Sequence, residues 1–237
     1  YDFFNASVDY GYISRRLNIS GETAMDKNAQ VATINMISYE FSSRLTLMAL
    51  QRYYPYKYQA LYANTVAEGG SVNDESGFIV GGRIIPWNNT TLTLYTDISY
   101  FAWPKYNTPE STYRWDNFIQ IDVSKDKWAF LLRYRMKMKE INGQEEGSIL
   151  RKTDSRARAM ISYSDNGLTF CTQSDFSASH GNTMSYGYMI SEGVRWQREW
   201  LNLNGLIGYF NTGDYNSRVY VHDPGLLYTF SFASFYG

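Results

Sequence analysis

Polar and apolar residues alternate with a period of two along most of this chain, and KWAFLLRYRMKMK shows it most sharply. Trp128, Phe130, Leu132, Tyr134, Met136 and Met138 fall on one side, and Arg133, Arg135, Lys137 and Lys139 on the other. Wound as a helix, the same residues would scatter these cations around its circumference; a strand separates one apolar face from one basic face. The preceding YRWDNFIQIDV repeats the pattern, with Tyr113, Trp115, Ile119, Ile121 and Val123 facing Arg114, Asp116, Gln120 and Asp122 across the backbone. Folding the two about Lys125–Asp126, within a turn at Ser124–Lys127, sets Asp116 opposite Arg135 and Trp115 opposite Met136. Like then meets like and charge meets countercharge, as cross-strand pairs require.

The same reading predicts strands at 3–19, 29–40, 43–54, 77–86, 90–103, 152–163, 167–177, 184–197, 200–212 and 226–236. That makes about twelve strands of roughly 10–14 residues, longer than soluble strands usually are and suited to tilted membrane crossings. The connections alternate in length. Tight ones fall at Phe41-Ser42-Ser43, Trp87-Asn88-Asn89, Ser124–Lys127, Ser164-Asp165-Asn166 and Arg198-Glu199. Longer, more polar ones fall at 20–28, 55–76, 104–111, 140–151, 178–183 and 213–225. Short turns at one end and long loops at the other are the layout of an outer-membrane barrel. The expected fold is therefore all-β, an antiparallel up-and-down transmembrane β-barrel in one domain over 1–237, with further strands in a larger barrel. Its termini would be periplasmic and its long loops extracellular.

Composition sharpens this picture. The 22 Tyr, 13 Phe and 6 Trp make up 17% of the chain, yet mean hydropathy is only -0.42; amphipathic rings in such numbers suit a membrane–water interface. The longest apolar run, 128–132, is far shorter than the roughly 18–20 residues of a spanning helix. A formal charge of -1 argues against nucleic acid as a partner. A single cysteine, Cys171, allows neither an internal disulfide nor a Cys-rich metal site; its parity places it on the polar face. The chain opens mid-pattern with no signal peptide, so the sequence reads as a mature or trimmed piece of a longer precursor.

The polar face carries Arg83, Asp97, Arg114, Asp116, Asp122, Arg133, Arg135, Arg156, Arg158, Asp175 and Arg195. Such charges either line a selective passage or anionic-ligand site, or pair off to fill the interior. Arg133, Arg135, Arg156 and Arg158, on neighbouring strands, form the one place where positive charge looks uncompensated; Arg114, Asp116 and Arg195 complete the candidate set. The two histidines, His180 and His222, could serve a hydrolase with Ser177, Ser179 or Asp223, although neighbours on a strand point to opposite faces. No metal site or cofactor is implied. Segment 55–76 is expected to be an exposed loop with its tyrosines on the rim, the alternative being an inward plug.

The stretches DYGYISRRLNISGETAMDKN, ISYEFSSRLTLMALQRYYPYKYQALYANTVAEGG, RWDNF…DKWAFLLRYRMKMK and GYFNTGDYNSRVYVHDPGLLYTFSFASFYG resemble the barrel portion of helix-hairpin-helix domain-containing outer-membrane proteins of Gram-negative bacteria. That resemblance implies a periplasmic segment before the barrel and more barrel after it. The resulting expectation is a non-enzymatic, porin-like barrel: a channel, a ligand-binding barrel or the membrane anchor of an assembly. Outer-membrane lipids and lipopolysaccharide would surround it, with a periplasmic or outer-membrane protein as partner. Two alternatives stand beside it: an outer-membrane hydrolase using a rim histidine, and a soluble carbohydrate-binding β-sandwich.

Overall fold

The computed structural model describes residues 4–60, 63–105, 108, 110–143, 148–223 and 231–236, without the side chains of 222, 223 and 231–233. Twelve strands form one antiparallel sheet in which spatial order is chain order. They are β1 (Asn5–Ile13), β2 (Leu17–Asp26), β3 (Val31–Ser42), β4 (Leu45–Tyr54), β5 (Glu75–Ile84), β6 (Thr90–Phe101), β7 (Thr112–Lys125), β8 (Trp128–Asn142), β9 (Ile149–Asp165), β10 (Leu168–His180), β11 (Met184–Arg198) and β12 (Leu201–Thr212). A 3-10 turn at Tyr215–Ser217 follows, then a separate pair, β13 (Val219–Asp223) with β14 (Ser231–Phe235). Among the described residues no helix is long and apolar enough to cross a membrane.

The up-and-down sheet expected from the alternation is present, with three corrections within it and one after it. In that last one, the expected loop 213–225 holds β13, and the described part of the expected strand 226–236 pairs with β13 in a separate sheet. The expected first strand, 3–19, is two strands: Ser14 donates its amide to Leu17 and Leu17 donates back to the Ser14 hydroxyl, closing a turn at Arg15–Arg16. β2 then runs through the expected loop 20–28, and the Asp26 carboxylate accepts the Asn28 and Gln30 amides to close the next turn. Because Asn5 pairs with Asp26, the described chain starts at the end of the sheet that carries 27–30 and 55–74. The expectation that it starts at the short-turn end fails for that reason. The third correction is small. β7 and β8 end at Lys125 and Trp128, so the turn is Asp126–Lys127 and the expected partners shift by two residues. Asp116 accordingly lies 3.2 Å from the Lys137 amine. An even shift leaves every side chain on its predicted face.

Backbone chemistry explains the tight turns. Asn166 and Gly167 both have positive φ, 48° and 81°, as a two-residue hairpin with the twist of its flanking strands requires. Any side chain at Gly167 would also run into the Gln197 carbonyl. Asp126 and Asn89 take the same left-handed region, at 53° and 70°, where Asn and Asp are tolerated better than other side chains.

The chain falls into two compact units: Tyr1–Ile84, Thr93–Asn117 and Lys137–Arg151 in the first, Ile85–Leu92, Phe118–Met136 and Lys152–Gly237 in the second. In the first, Ala32, Tyr54 and Tyr58 form a buried cluster, with Ala24, Ala60, Ala67 and Val72 against it. Four of these residues belong to 55–74, so that connection packs in part against the sheet, while Tyr56, Lys57, Gln59, Asn64 and Val66 stay exposed as expected of a loop. In the second, Met189, Val219 and Val221 are buried against Phe210 and Phe235. The chain after β12 therefore turns back onto the same face. The opposite face stays open. Leu132 is 55% exposed, Ile207 74% and Val8 68%. Polar groups on that face satisfy one another: Asn35 donates to Gln51 at 2.9 Å, and Thr172 to Glu192 at 2.8 Å.

Candidate functional site

The two units treat their covered polar faces differently. In the first unit, Arg52 of β4 donates Nε to Glu75 at 2.5 Å and Nη2 to Asp97 at 2.9 Å and to the Ser99 hydroxyl at 2.6 Å. The Arg52 and Glu75 side chains are both 0% exposed. The guanidinium lies across Gly77, where a Cβ would collide with it. Glu75 also accepts the amides of Glu68 and Gly69, at 3.0 and 2.8 Å, from the folded-down connection. Arg114 donates to the Glu68 carbonyl, and the Lys137 amine sits 2.9 Å from the Glu68 carboxylate. Glu68 is thus held from β5, β7 and β8. The candidate residues Arg114 and Asp116 belong to this network, where charges neutralise each other and anchor a loop.

Lys105, in the connection after β6, places its amine 3.4 Å from the centre of the Phe101 ring, against which Arg114 also lies. Burial, helped by the Arg114 charge, pushes its pKa down, while Asp74 and Glu75 pull it back up.

The second unit holds a cleft of about 360 Å³ lined by Arg133, Arg135, Arg156, Arg158, Arg218 and Asp175, with Phe118, Ser177 and Tyr220 among the rest. The first four arginines are the cluster expected from sequence. Their even spacing on β8 and β9 points them to one face, and the 213–223 segment closes over them. Arg158 donates to Asp175 at 2.6 Å, and Gln173 donates to the other oxygen of that carboxylate. Arg133 donates to the Gln120 amide oxygen at 2.7 Å, and Gln120 in turn links to Asp122. Arg156 stacks on the Tyr220 ring, 4.9 Å from its centre. Arg218 stacks on Tyr215 at 4.1 Å and donates to the Tyr215 carbonyl and the Tyr220 hydroxyl.

The segment that supplies Arg218 is fixed by Asp214. Its carboxylate accepts the Ser185 hydroxyl at 2.6 Å and the amides of Asn216 and Ser217, which caps the 3-10 turn. These bonds, the one from Ser185 foremost, push the Asp214 pKa down to about 2. Arg218 has no signature in the sequence, because it lies outside any alternating stretch. Arg195 stays outside the cleft, bonded to Asn204 across the β11–β12 pair.

Histidine chemistry is not assembled at His180. That residue is exposed on the open face at the end of β10, while Ser177 and Ser179 are buried on the other. Ser179 is bonded to Asp154. The side chains of His222 and Asp223 lie outside the described residues. Among the described residues no group of His, Cys, Asp and Glu could hold a metal ion. Cys171 pairs with Ser162 and Gly193 and faces the covered side, as its parity requires.

No family model matches the chain, and no curated protein matches it. Among solved structures it is similar to OmpTΔL8, a loop L8 deletion mutant of OmpT, an outer membrane protein of Vibrio cholerae. The identity is 10% and the TM-score 0.39, over 90% of this chain and 86% of that one. A likeness at this level carries none of the argument that follows.

Proposed function

We propose that the chain is the membrane-embedded β-barrel portion of a Gram-negative outer-membrane protein, non-enzymatic, working as a barrel that binds or selects solutes on its inner face. The open apolar face carries this reading. A sheet in water would bury that face against a second layer, whereas here large apolar side chains remain exposed along strand after strand. In hydrocarbon the same exposure is favourable, and the strands leave their backbone groups bonded within the sheet.

The distribution of rings supports it. In the second unit Trp87, Trp128 and Trp200, 70%, 48% and 86% exposed, lie at the short-turn end. Tyr186, Tyr188 and Tyr209, 51%, 44% and 62% exposed, lie toward the other end. Aromatic girdles at two levels are what two membrane interfaces call for. On the inner face, the folded-back segments 55–74 and 213–223 each cover part of their own unit, which favours a narrowed, ligand-contacting interior over a smooth pore. Outer-membrane lipids and lipopolysaccharide are then its surroundings, and the resemblance to helix-hairpin-helix proteins points to a periplasmic partner segment.

Cell fractionation followed by gel migration in detergent, unboiled against boiled, tests the membrane assignment. Recovery in the outer membrane with faster unboiled migration is expected. A soluble protein without that shift would return the fold to a sandwich. Conductance in planar bilayers tests the interior: small or absent steps are expected, and a large steady conductance would exclude a narrowed barrel.

A further inference from the structure

Among the described residues that line it, the arginine cleft of the second unit holds more guanidiniums than carboxylates. Leaving Arg135 aside, four guanidiniums line it, those of Arg133, Arg156, Arg158 and Arg218, and Asp175 is the carboxylate among the lining residues. Asp175 is taken by Arg158 and Gln173. The other three cations are oriented by neutral groups: an amide oxygen for Arg133, a phenol ring for Arg156, and a ring, a hydroxyl and a carbonyl for Arg218. Neutral partners fix a guanidinium in place without cancelling its charge. Such preset forks are the common protein device for binding oxyanions.

We propose that this cleft binds a phosphate-bearing ligand, a phosphomonoester or diphosphate group. The cations arrive from three directions: Arg133 from β8, Arg156 and Arg158 from β9, and Arg218 from the segment folded over them. A phosphate group offers oxygens around a tetrahedral centre and close to two negative charges. A carboxylate offers two oxygens in one plane, enough for a single fork. A volume of about 360 Å³ admits a phosphate together with the sugar or lipid headgroup that bears it. The Asp214 cap matters here because it holds the segment that presents Arg218. The phosphate could belong to a soluble ester or to a phosphorylated lipid headgroup; the chemistry of recognition is the same.

The test uses the full chain in detergent micelles, free of phosphate, titrated calorimetrically with pyrophosphate as the probe. Saturable binding in the sub-millimolar range is expected, corresponding to roughly 4–8 kcal/mol. R156Q/R218Q, which leaves the Arg158–Asp175 pair intact, should weaken it by about tenfold or more. K127Q, in the turn before β8, should leave it unchanged. No binding, equal binding by R156Q/R218Q, or citrate binding as tightly as pyrophosphate would overturn the assignment. Heat-modified migration of the same samples shows separately whether the barrel is folded, so failure of the site and failure of the membrane reading are distinguishable. Repeating the titration with diphosphoryl lipid A in mixed micelles identifies the source. Loss of both ligands in R156Q/R218Q indicates a lipid-borne phosphate, and binding of pyrophosphate without lipid A a soluble one.

Discussion

Replacing Arg52 by methionine removes the one cation between Glu75 and Asp97 while roughly keeping its volume. Both carboxylates stay buried, their side chains 0% and 7% exposed. Breaking a buried pair from one side typically costs about 3–5 kcal/mol, because the partner's charge is stranded. The wild-type protein already carries one offset: Arg52 Nη1 is buried with no hydrogen-bond partner among the described residues, a defect of about 1–3 kcal/mol that R52M removes. The expected loss is therefore smaller, about 2 kcal/mol. Urea unfolding of the full chain from lipid vesicles, followed by tryptophan fluorescence, measures it. The triple variant R52M/E75Q/D97N should recover most of the loss, since neutral groups no longer repel. If R52M unfolds at the wild-type urea concentration with the same slope, or the triple variant is less stable than R52M, the argument from stranded charge is wrong.

Two further outcomes follow from the faces and the cap. L132R places a cation on the open face of β8 and should cost about 2–4 kcal/mol in vesicles, whereas L131R, one residue earlier on the covered polar face, should cost about 1 kcal/mol or less; equal losses would refute the face assignment. Asp214 has a folded pKa of about 2, below the usual value near 3.9. Its contribution to holding the 213–223 segment is complete above about pH 4 and is lost as pH falls toward 2. Limited proteolysis of that segment by pepsin across pH 2–5 should show protection fading over that window in the wild type and absent throughout in D214N; parallel profiles would remove Asp214 from the role.

How much of this was legible in the sequence depends on whether an interaction obeys parity. The strands of the β7–β8 hairpin announce themselves, and so do the faces of Arg133, Arg135, Arg156 and Arg158, because alternation is a local rule. The division of 3–19 into two strands was hidden: Arg15 and Arg16 fit an alternating strand as well as a turn. Arg218 and Glu68 were hidden for a different reason. Each lies in a connection, where no period applies, and acquires its partners by the path of the backbone. The charges on the polar face also resolved both ways at once. Arg114 and Asp116 entered a neutralised network, while Arg133 and Arg156 took neutral partners; residue type alone does not separate those outcomes.

The anchoring of Glu68 has a consequence for the order of assembly. Its partners lie far along the chain, Arg114 46 residues and Lys137 69 residues away, so the anchor cannot be complete before β8 is in place. Contacts this distant in sequence form late, after the local hairpins. Until then the 55–74 connection is held by Glu75, by Asp26, which accepts the Gln59 amide, and by the Tyr54 hydroxyl on the Val66 carbonyl, and the Glu68 side chain lacks its anchor on β8. A chain interrupted between β7 and β8 would keep its first hairpins and these local ties but lose the Lys137–Glu68 pair, so protection of the stretch around Glu68 from protease is a marker of how far insertion has progressed.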